Sequence, residues 1–145
     1  MPMVWGVHHA TRTVVATASG ELRLADLEHY LDGLAAAATL SYRKVFDLTH
    51  GQLALSRDDM LALGARIRGL ETMGPMGKVA VIAVADEAHR QARLLATHVI
   101  ADRPLKIFRD AEAAYEWLRA DLPANLEMAR AGFFGEAPEA EARRD

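Results

Sequence analysis

Cysteine is absent from the 145 residues of the chain. Disulfide bonds, zinc sites with thiolate ligands, iron–sulfur clusters and thiol catalysis are therefore excluded. Long apolar runs are also lacking, since no stretch approaches the roughly 18 residues that span a bilayer. The N-terminal residues MPMVWGVHH contain no basic segment followed by an apolar one, so no secretory signal is visible. These absences predict a cytoplasmic protein without a transmembrane segment.

Neither sign of charge is in large excess, because 17 Lys and Arg residues stand against 20 Asp and Glu residues and give a net charge of −3. This balance supplies no general attraction to the phosphates of nucleic acid or to an anionic membrane. Hydrophobic residues make up 51% of the chain, which is ordinary for one globular domain. We therefore expect a soluble domain that does not bind nucleic acid.

Strand-like and helix-like segments alternate along the chain. Two β-rich runs, residues 4–9 and 12–18, are joined by so short a connection that they predict an antiparallel hairpin. The following pattern predicts strands at residues 42–48, 78–85 and 104–108 and helices at about residues 25–38, 57–70, 87–99 and after Asp110. The order predicts an α/β fold with a mixed, mostly parallel sheet, an N-terminal antiparallel hairpin and about four helices.

The fourth strand is apolar on both of its faces, which is typical of a central strand covered on both sides. Right-handed crossovers that all progress in one direction would place their helices on a single face. Because an exposed apolar patch is unusual on a monomer, the second face must also be covered. Residues 123–145, a predicted helical segment with a polar tail, are the candidate cover, docked on their own sheet or on a twin subunit. We expect a homodimer.

Three features of the sequence resemble the SpoIIAA-like family: Gly20 before the first helix, FDLT at the end of the third strand, and FRDAEAAYEWL at the last strand and helix. These proteins are bacterial relatives of the STAS domain and share a fold theme with lipid-carrying CRAL-TRIO domains. The resemblance covers about residues 4–120 and implies a SpoIIAA-like domain over residues 1–122. It implies binding of a protein partner or a small apolar ligand, and no settled enzymatic activity.

Ser56 stands near the position where phosphoregulated anti-sigma-factor antagonists carry a phosphoacceptor serine, in an Asp-Ser-Ser-Gly motif that opens the second helix. The resemblance thus implies a phosphoacceptor at Ser56. This chain reads Leu55-Ser56-Arg57-Asp58, which lacks the flanking residues of that motif. Ser56 and Asp59 instead have approximately the spacing of a capping box, and the two aspartates would repel a phosphate. We predict that Ser56 caps the second helix and is not phosphorylated.

Asp47 ends the predicted third strand, as a phosphoacceptor aspartate does in response-regulator receivers. Those domains need an acidic pair after the first strand to hold Mg²⁺, whereas this chain has His8 and His9 there. Asp47 and Thr49 are predicted to satisfy backbone groups at a turn, with a polar ligand contact as the alternative. The predicted partner or ligand surface comprises Asp47, Thr49, His50, Ser56 and Asp59.

No metal or nucleotide motif is recognisable. His8 and His9 are adjacent on a strand and point to opposite faces, and His89 and His98 are out of phase on a helix. GPMGKV is not a phosphate loop, because Val79 stands where Ser or Thr must bind Mg²⁺. A Gly-x-Ser-x-Gly elbow is also absent. We expect no metal and no cofactor.

The expected function is non-enzymatic binding. A regulatory module that binds a protein partner is the first hypothesis, and a carrier or sensor of a small apolar, lipid-like ligand is the alternative. An apolar cavity beneath the helices would favour the ligand. An enzyme would require a cleft that gathers His50 with Asp47 or another acid–base pair.

Overall fold

The computed structural model describes residues 2–99 and 105–120. In order, the elements are β1 (Met3–His8), β2 (Thr13–Leu22), α1 (Leu24–Ala36), β3 (Arg43–Leu53), α2 (Arg57–Glu71), β4 (Val79–Ile82), α3 (Asp86–Val99), β5 (Leu105–Phe108) and α4 (Ala111–Arg119). The predicted order of strands and helices is confirmed. Within the described ranges, no helix is both long enough and apolar enough to cross a bilayer.

The five strands form one sheet in the order β1-β2-β3-β4-β5. β1 pairs with β2 in the antiparallel direction, and the remaining neighbours pair in parallel. The predicted mixed, mostly parallel sheet with an N-terminal hairpin is therefore confirmed. Because each parallel connection adds its strand on the same side of the previous one, the crossovers all progress in one direction across the sheet.

One face of the sheet is covered by α1, α2 and α3, as right-handed crossovers in a single direction require. Each helix contributes a stripe of buried residues at spacings of three and four, such as Leu27, Leu31 and Leu34 on α1. These stripes form one core with Val79 and Val81 of β4. The core between this helical layer and the sheet is the largest apolar region of the described chain.

The opposite face of β4 is covered by α4, which follows the last strand and is not a crossover helix. Ala114 and Leu118 of α4 pack with Ala80 and Ile82 of β4 and with Val45 of β3. The sequence predicted residues 123–145 as the cover, whereas α4 packs on Ala80 and Ile82 of this face. Residues 123–145 lie outside the described residues, and the homodimer stays a prediction.

The start of α4 is fixed by Asp110, whose Oδ2 accepts a hydrogen bond from the backbone N–H of Ala113 at 3.1 Å. Asp110 is therefore the N-cap of the helix that the sequence predicts to begin after it. The buried side of α4 is narrow: Ala114 and Leu118 are buried, whereas Ala113 is exposed and Trp117 is half-buried.

β3 continues five residues beyond its predicted end, so the loop expected after Asp47 is largely strand. The pairing with β2 shifts between Thr17, opposite Asp47, and Ser19, opposite His50, which places one extra residue in β3. This irregularity is a β-bulge. Past it, β3 pairs with β2 as far as Leu53, whereas its pairing with β4 ends at Asp47. The outer end of β3 therefore extends beyond β4.

Candidate functional site

The predicted residues Asp47 and Thr49 meet at the β-bulge. Oδ1 of Asp47 accepts hydrogen bonds from the backbone N–H of Thr49 at 2.9 Å and from its hydroxyl at 2.5 Å. The carboxylate thus satisfies a donor that the interrupted ladder leaves unpaired. The prediction that these residues satisfy backbone groups is confirmed for Asp47, within a strand and not at a turn, whereas the Thr49 hydroxyl bonds the carboxylate instead.

Ser56 caps α2 as the sequence predicts. Its hydroxyl accepts a hydrogen bond from the backbone N–H of Asp59 at 3.0 Å, and the Asp59 carboxylate accepts one from the backbone N–H of Ser56, also at 3.0 Å. This reciprocal pair is a capping box. The Ser56 side chain is exposed, so its phosphorylation state stays a prediction.

The five predicted surface residues form two separate local pairs and one exposed side chain. Asp47 bonds Thr49, and Ser56 bonds Asp59. His50 is exposed beyond the bulge, and within residues 2–99 and 105–120 it makes no hydrogen bond to Asp47. The acid–base combination that an enzyme would need is therefore not assembled between these two groups in the described part of the chain.

Tyr115 of α4, which the sequence analysis did not single out, lies near Asp47. Burial and, to a smaller extent, the negative charge of Asp47 together raise the pKa of the Tyr115 hydroxyl to about 12. Both effects disfavour the tyrosinate. The Asp47 carboxylate is thus placed between the bulge that it closes and the helix that covers the second face of the sheet.

A cavity of about 80 Å³ lies between the sheet and the layer formed by α1, α2 and α3. Its walls come from all three helices, from β3, β4 and β5, and from the connection between α2 and β4. The lining residues are Leu27, Tyr30, Leu31, Lys44, Phe46, Leu48, Leu53, Leu63, Ile67, Met76, Val79, Val81, Ala92, Leu95, Ala96 and Leu105. Apart from Lys44 and the hydroxyl of Tyr30, these side chains are apolar.

The cavity is a consequence of small side chains on α3. Ala92 and Ala96 are one turn apart on the face of α3 that looks toward the sheet, and both are buried. The α2–α3 contact is close at Gly64, where a Cβ would overlap the backbone carbonyl oxygen of His98. The helices cannot shift freely to fill the volume, because this backbone contact already fixes their separation.

Lys44 is the charged residue of the cavity wall, and only 3% of its surface is exposed. Its ammonium donates hydrogen bonds to the backbone carbonyl oxygens of Leu40 at 2.6 Å and of Tyr42 at 2.7 Å. Both carbonyls belong to the connection between α1 and β3. Sequence reasoning missed this residue, although strand alternation places Lys44 on the same face as Phe46 and Leu48.

The histidines show no metal-binding arrangement in the structure. Across residues 2–99 and 105–120, no three His, Asp or Glu side chains are grouped so as to hold a metal ion. His9 instead bonds the hydroxyl of Tyr42 through Nδ1 at 2.9 Å, and His98 contacts the Leu94 carbonyl through Nδ1 at 3.0 Å. Absence of metal binding in the whole protein stays a prediction.

Among known proteins, no family model matches the chain and no curated protein is significantly similar to it. The structure is similar to the crystal structure of an uncharacterised protein of the DUF3478 family with a SpoIIAA-like fold from Shewanella loihica, with a TM-score of 0.55. The fold is SpoIIAA-like. The match covers 80% of this chain and 93% of the other at 23% identity, and a similarity at this level shows the fold alone. The SpoIIAA-like resemblance is therefore confirmed for the fold.

Proposed function

We propose that this SpoIIAA-like domain binds a small apolar ligand in the cavity between its helical layer and its sheet, without catalysing a reaction. The cavity itself carries the proposal. Protein interiors are close-packed, and an apolar volume of about 80 Å³ that the described residues leave unfilled corresponds to about 2 kcal/mol of lost stability at roughly 24 cal/mol per Å³. A ligand with apolar atoms at this place would recover that free energy as binding energy.

Size and polarity limit the occupant. An engineered apolar cavity of roughly 150 Å³ stays dry and binds benzene, so the volume of about 80 Å³ suits a smaller group or one end of a longer chain. Ordered water requires two to four polar partners, and the wall offers mainly hydrocarbon and aromatic surface. An aliphatic occupant matches this wall better than a polar one.

The test is titration with 1-alcohols from butanol to octanol, observed by NMR. We expect saturable shift changes in residues that line the cavity, and an affinity that rises with chain length until the available volume is filled. Ala92→Leu places three more carbons in the cavity and should abolish these changes. Ala62→Leu, which adds the same atoms at an exposed position of α2, should leave them intact. Shift changes that are absent, or that survive Ala92→Leu, would contradict the proposal.

A regulatory module that binds a protein partner is the second candidate function. The observation in its favour is the outer end of β3, from His50 to Leu53. This segment pairs with β2 on one side, whereas the pairing of β3 with β4 on the other side ends at Asp47. The edge of such a strand can pair with a strand from another protein, through backbone groups other than the Leu53 N–H, which donates to Oε1 of Gln91 at 3.1 Å. The exposed Ser56 and Arg57 follow a few residues later along the chain.

Quantitative in-cell crosslinking can test the partner hypothesis. His50→Glu replaces an exposed imidazole of this segment with a negatively charged carboxylate, and Ala62→Glu introduces the same charge at an exposed position of α2. A protein that crosslinks to the wild type and to Ala62→Glu, and is lost with His50→Glu, would support a partner at the outer end of β3. Equal crosslinking by all three proteins would contradict it.

A further inference from the structure

The face of the sheet on which α4 lies is only partly covered by that helix. α4 packs on β3, β4 and β5, and its cluster reaches β2 at Val15. Val4 of β1 and Thr17 of β2 are opposite each other on the same face, since Met3 and Ala16 belong to the core of the other face. Thr17 is exposed, and so is 45% of Val4. No helix of the described ranges therefore shields this side of β1 and β2, here called the hairpin strip.

The hairpin strip has the dimensions of one short helix. Neighbouring strands are about 4.8 Å apart, so two strands span roughly 10 Å, which is about the diameter of a helix. β1 contains six residues and is therefore about 20 Å long at about 3.3 Å per residue. A helix of about 13 residues has the same length. One further helix thus fits beside α4.

The chain leaves α4 at one end of this strip. The carbonyl oxygen of Trp117, in the last turn of α4, accepts a hydrogen bond from Nζ of Lys78 at 3.1 Å. Lys78 directly precedes β4, whose first residue pairs beside the start of β3. At the start of β3, Arg43 is opposite Thr13, the first residue of β2. The residues that follow α4 therefore start from the Thr13 end of the hairpin strip.

We propose that residues 122–133 dock on the hairpin strip of their own chain as a helix that runs from the Thr13 end toward Val4 and Thr17. Four apolar residues of this segment recur at spacings of four, three and four: Leu122, Leu126, Ala129 and Phe133. This pattern is typical of the apolar side of a helix. The segment is also about 18 Å long as a helix, which matches the strip. The proposal is independent of the cavity, which lies on the other side of the sheet.

Arg43 supplies a second observation at the Thr13 end. It lies on the same face as Val45, and its Nη1 donates to the Thr11 carbonyl oxygen at 3.3 Å. Its Nε is buried and finds no hydrogen-bond acceptor among the described residues. Native proteins leave few buried donors without an acceptor, because such a group is costly. The residues that start from this end include two carboxylates, Asp121 and Glu127, which can supply that acceptor.

Cysteine crosslinking tests the proposal in the full chain, which contains no native cysteine. The test pair is Thr17→Cys with Gly132→Cys, the residue before Phe133. The control pair is Ala62→Cys with Gly132→Cys, because Ala62 is exposed on α2 at the other side of the sheet. A short bismaleimide joins thiols that lie close together, and intact mass separates a link within one chain from a link between two chains. We expect the test pair to link within one chain about tenfold faster than the control pair, since docking raises the local concentration of the thiols.

A variant of the test pair checks the docked side of the segment. Phe133→Asp should reduce its crosslinking rate to that of the control pair, because a charge buried on the strip would be unpaired. Equal rates for the test and control pairs would overturn the proposal. Links mainly between two chains would also overturn it, since a second copy would then cover the strip. If Thr17→Cys does not fold, Val4→Cys replaces it on the same strip, and the same comparison decides.

Discussion

Replacing Ala92 by leucine is expected to stabilise the ligand-free protein. Ala92 is 4% exposed and lines the cavity from α3. The substitution adds three carbons where no atoms of the described protein lie. Leucine is also a good helix former, so the change does not disfavour the helix itself.

The size of the effect follows from the cavity. At roughly 24 cal/mol per Å³, a volume of about 80 Å³ corresponds to about 2 kcal/mol of lost packing. The added carbons would gain a similar amount from burial, at about 0.8 kcal/mol for each methylene equivalent. Imperfect fit subtracts from this, since overpacking costs about 1–3 kcal/mol. We expect a net gain of about 1 kcal/mol.

Urea unfolding measures the change, with an increased midpoint and an unchanged slope as the expected signature. Ala62→Leu serves as the control, because it adds the same side chain at an exposed helical position and should change stability by less than about 0.5 kcal/mol. Ala96→Leu repeats the test one turn along α3, which guards against one poorly fitting rotamer. Destabilisation of both Ala92→Leu and Ala96→Leu relative to the control would refute the presence of a usable cavity.

Three further predictions concern α2 and α4. Ser56→Ala should lower the free energy of unfolding by about 1 kcal/mol through loss of the cap, and unchanged stability in urea would argue against the capping box. Gly64→Ala should lower the free energy of unfolding by about 1–3 kcal/mol, because its Cβ would overlap the carbonyl of His98. Gly69→Ala, with open space around it, should raise the free energy of unfolding by about 0.5–1 kcal/mol. Equal free energies of unfolding for the two variants would contradict the close contact at Gly64. Tyr115 should ionise with a pKa of about 12 instead of 10.0, so its contribution to stability is complete below pH 10 and is lost as the pH rises toward 12. Ultraviolet titration of the wild type, with Tyr115→Phe as the reference, measures this pKa. Ionisation of Tyr115 near pH 10 in the folded protein would contradict the prediction.

Most of the fold was predictable because its signals are local and periodic. The apolar stripe on each helix, the short hairpin connection and the two apolar faces of β4 follow directly from side-chain geometry. The capping residues Ser56 and Asp110 were also readable, since their hydrogen bonds reach only three residues along the chain.

The end of β3 was not predictable from the same signals. Asp47, Thr49 and Gly51 have the composition of a turn, and the sequence contains nothing that distinguishes a turn from a β-bulge whose pairing continues. The continuation depends on β2, which runs on to Leu22 opposite Leu53. Strand pairing is a non-local contact, so it overrode the local preference.

The cavity and Lys44 were missed for a related reason. Strand alternation puts Arg43, Val45 and Asp47 on one face and Lys44, Phe46 and Leu48 on the other, so each face contains both polar and apolar residues. The pattern alone could not assign the lysine to the core. The cavity depends on how alanines of one helix meet side chains of two others, which only the assembled packing reveals.

The agreement between strand order and chain order has a consequence for how the protein folds. Each strand pairs with the strand that precedes it, so a chain that emerges N-terminus first can add every new strand to an edge that already exists. Short separations between pairing partners favour rapid folding. However, the face of β4 that contains Ala80 and Ile82 is covered only when α4 has formed, and α4 is the last described element. During synthesis the interval between β4 and α4 is therefore the period of greatest risk of aggregation.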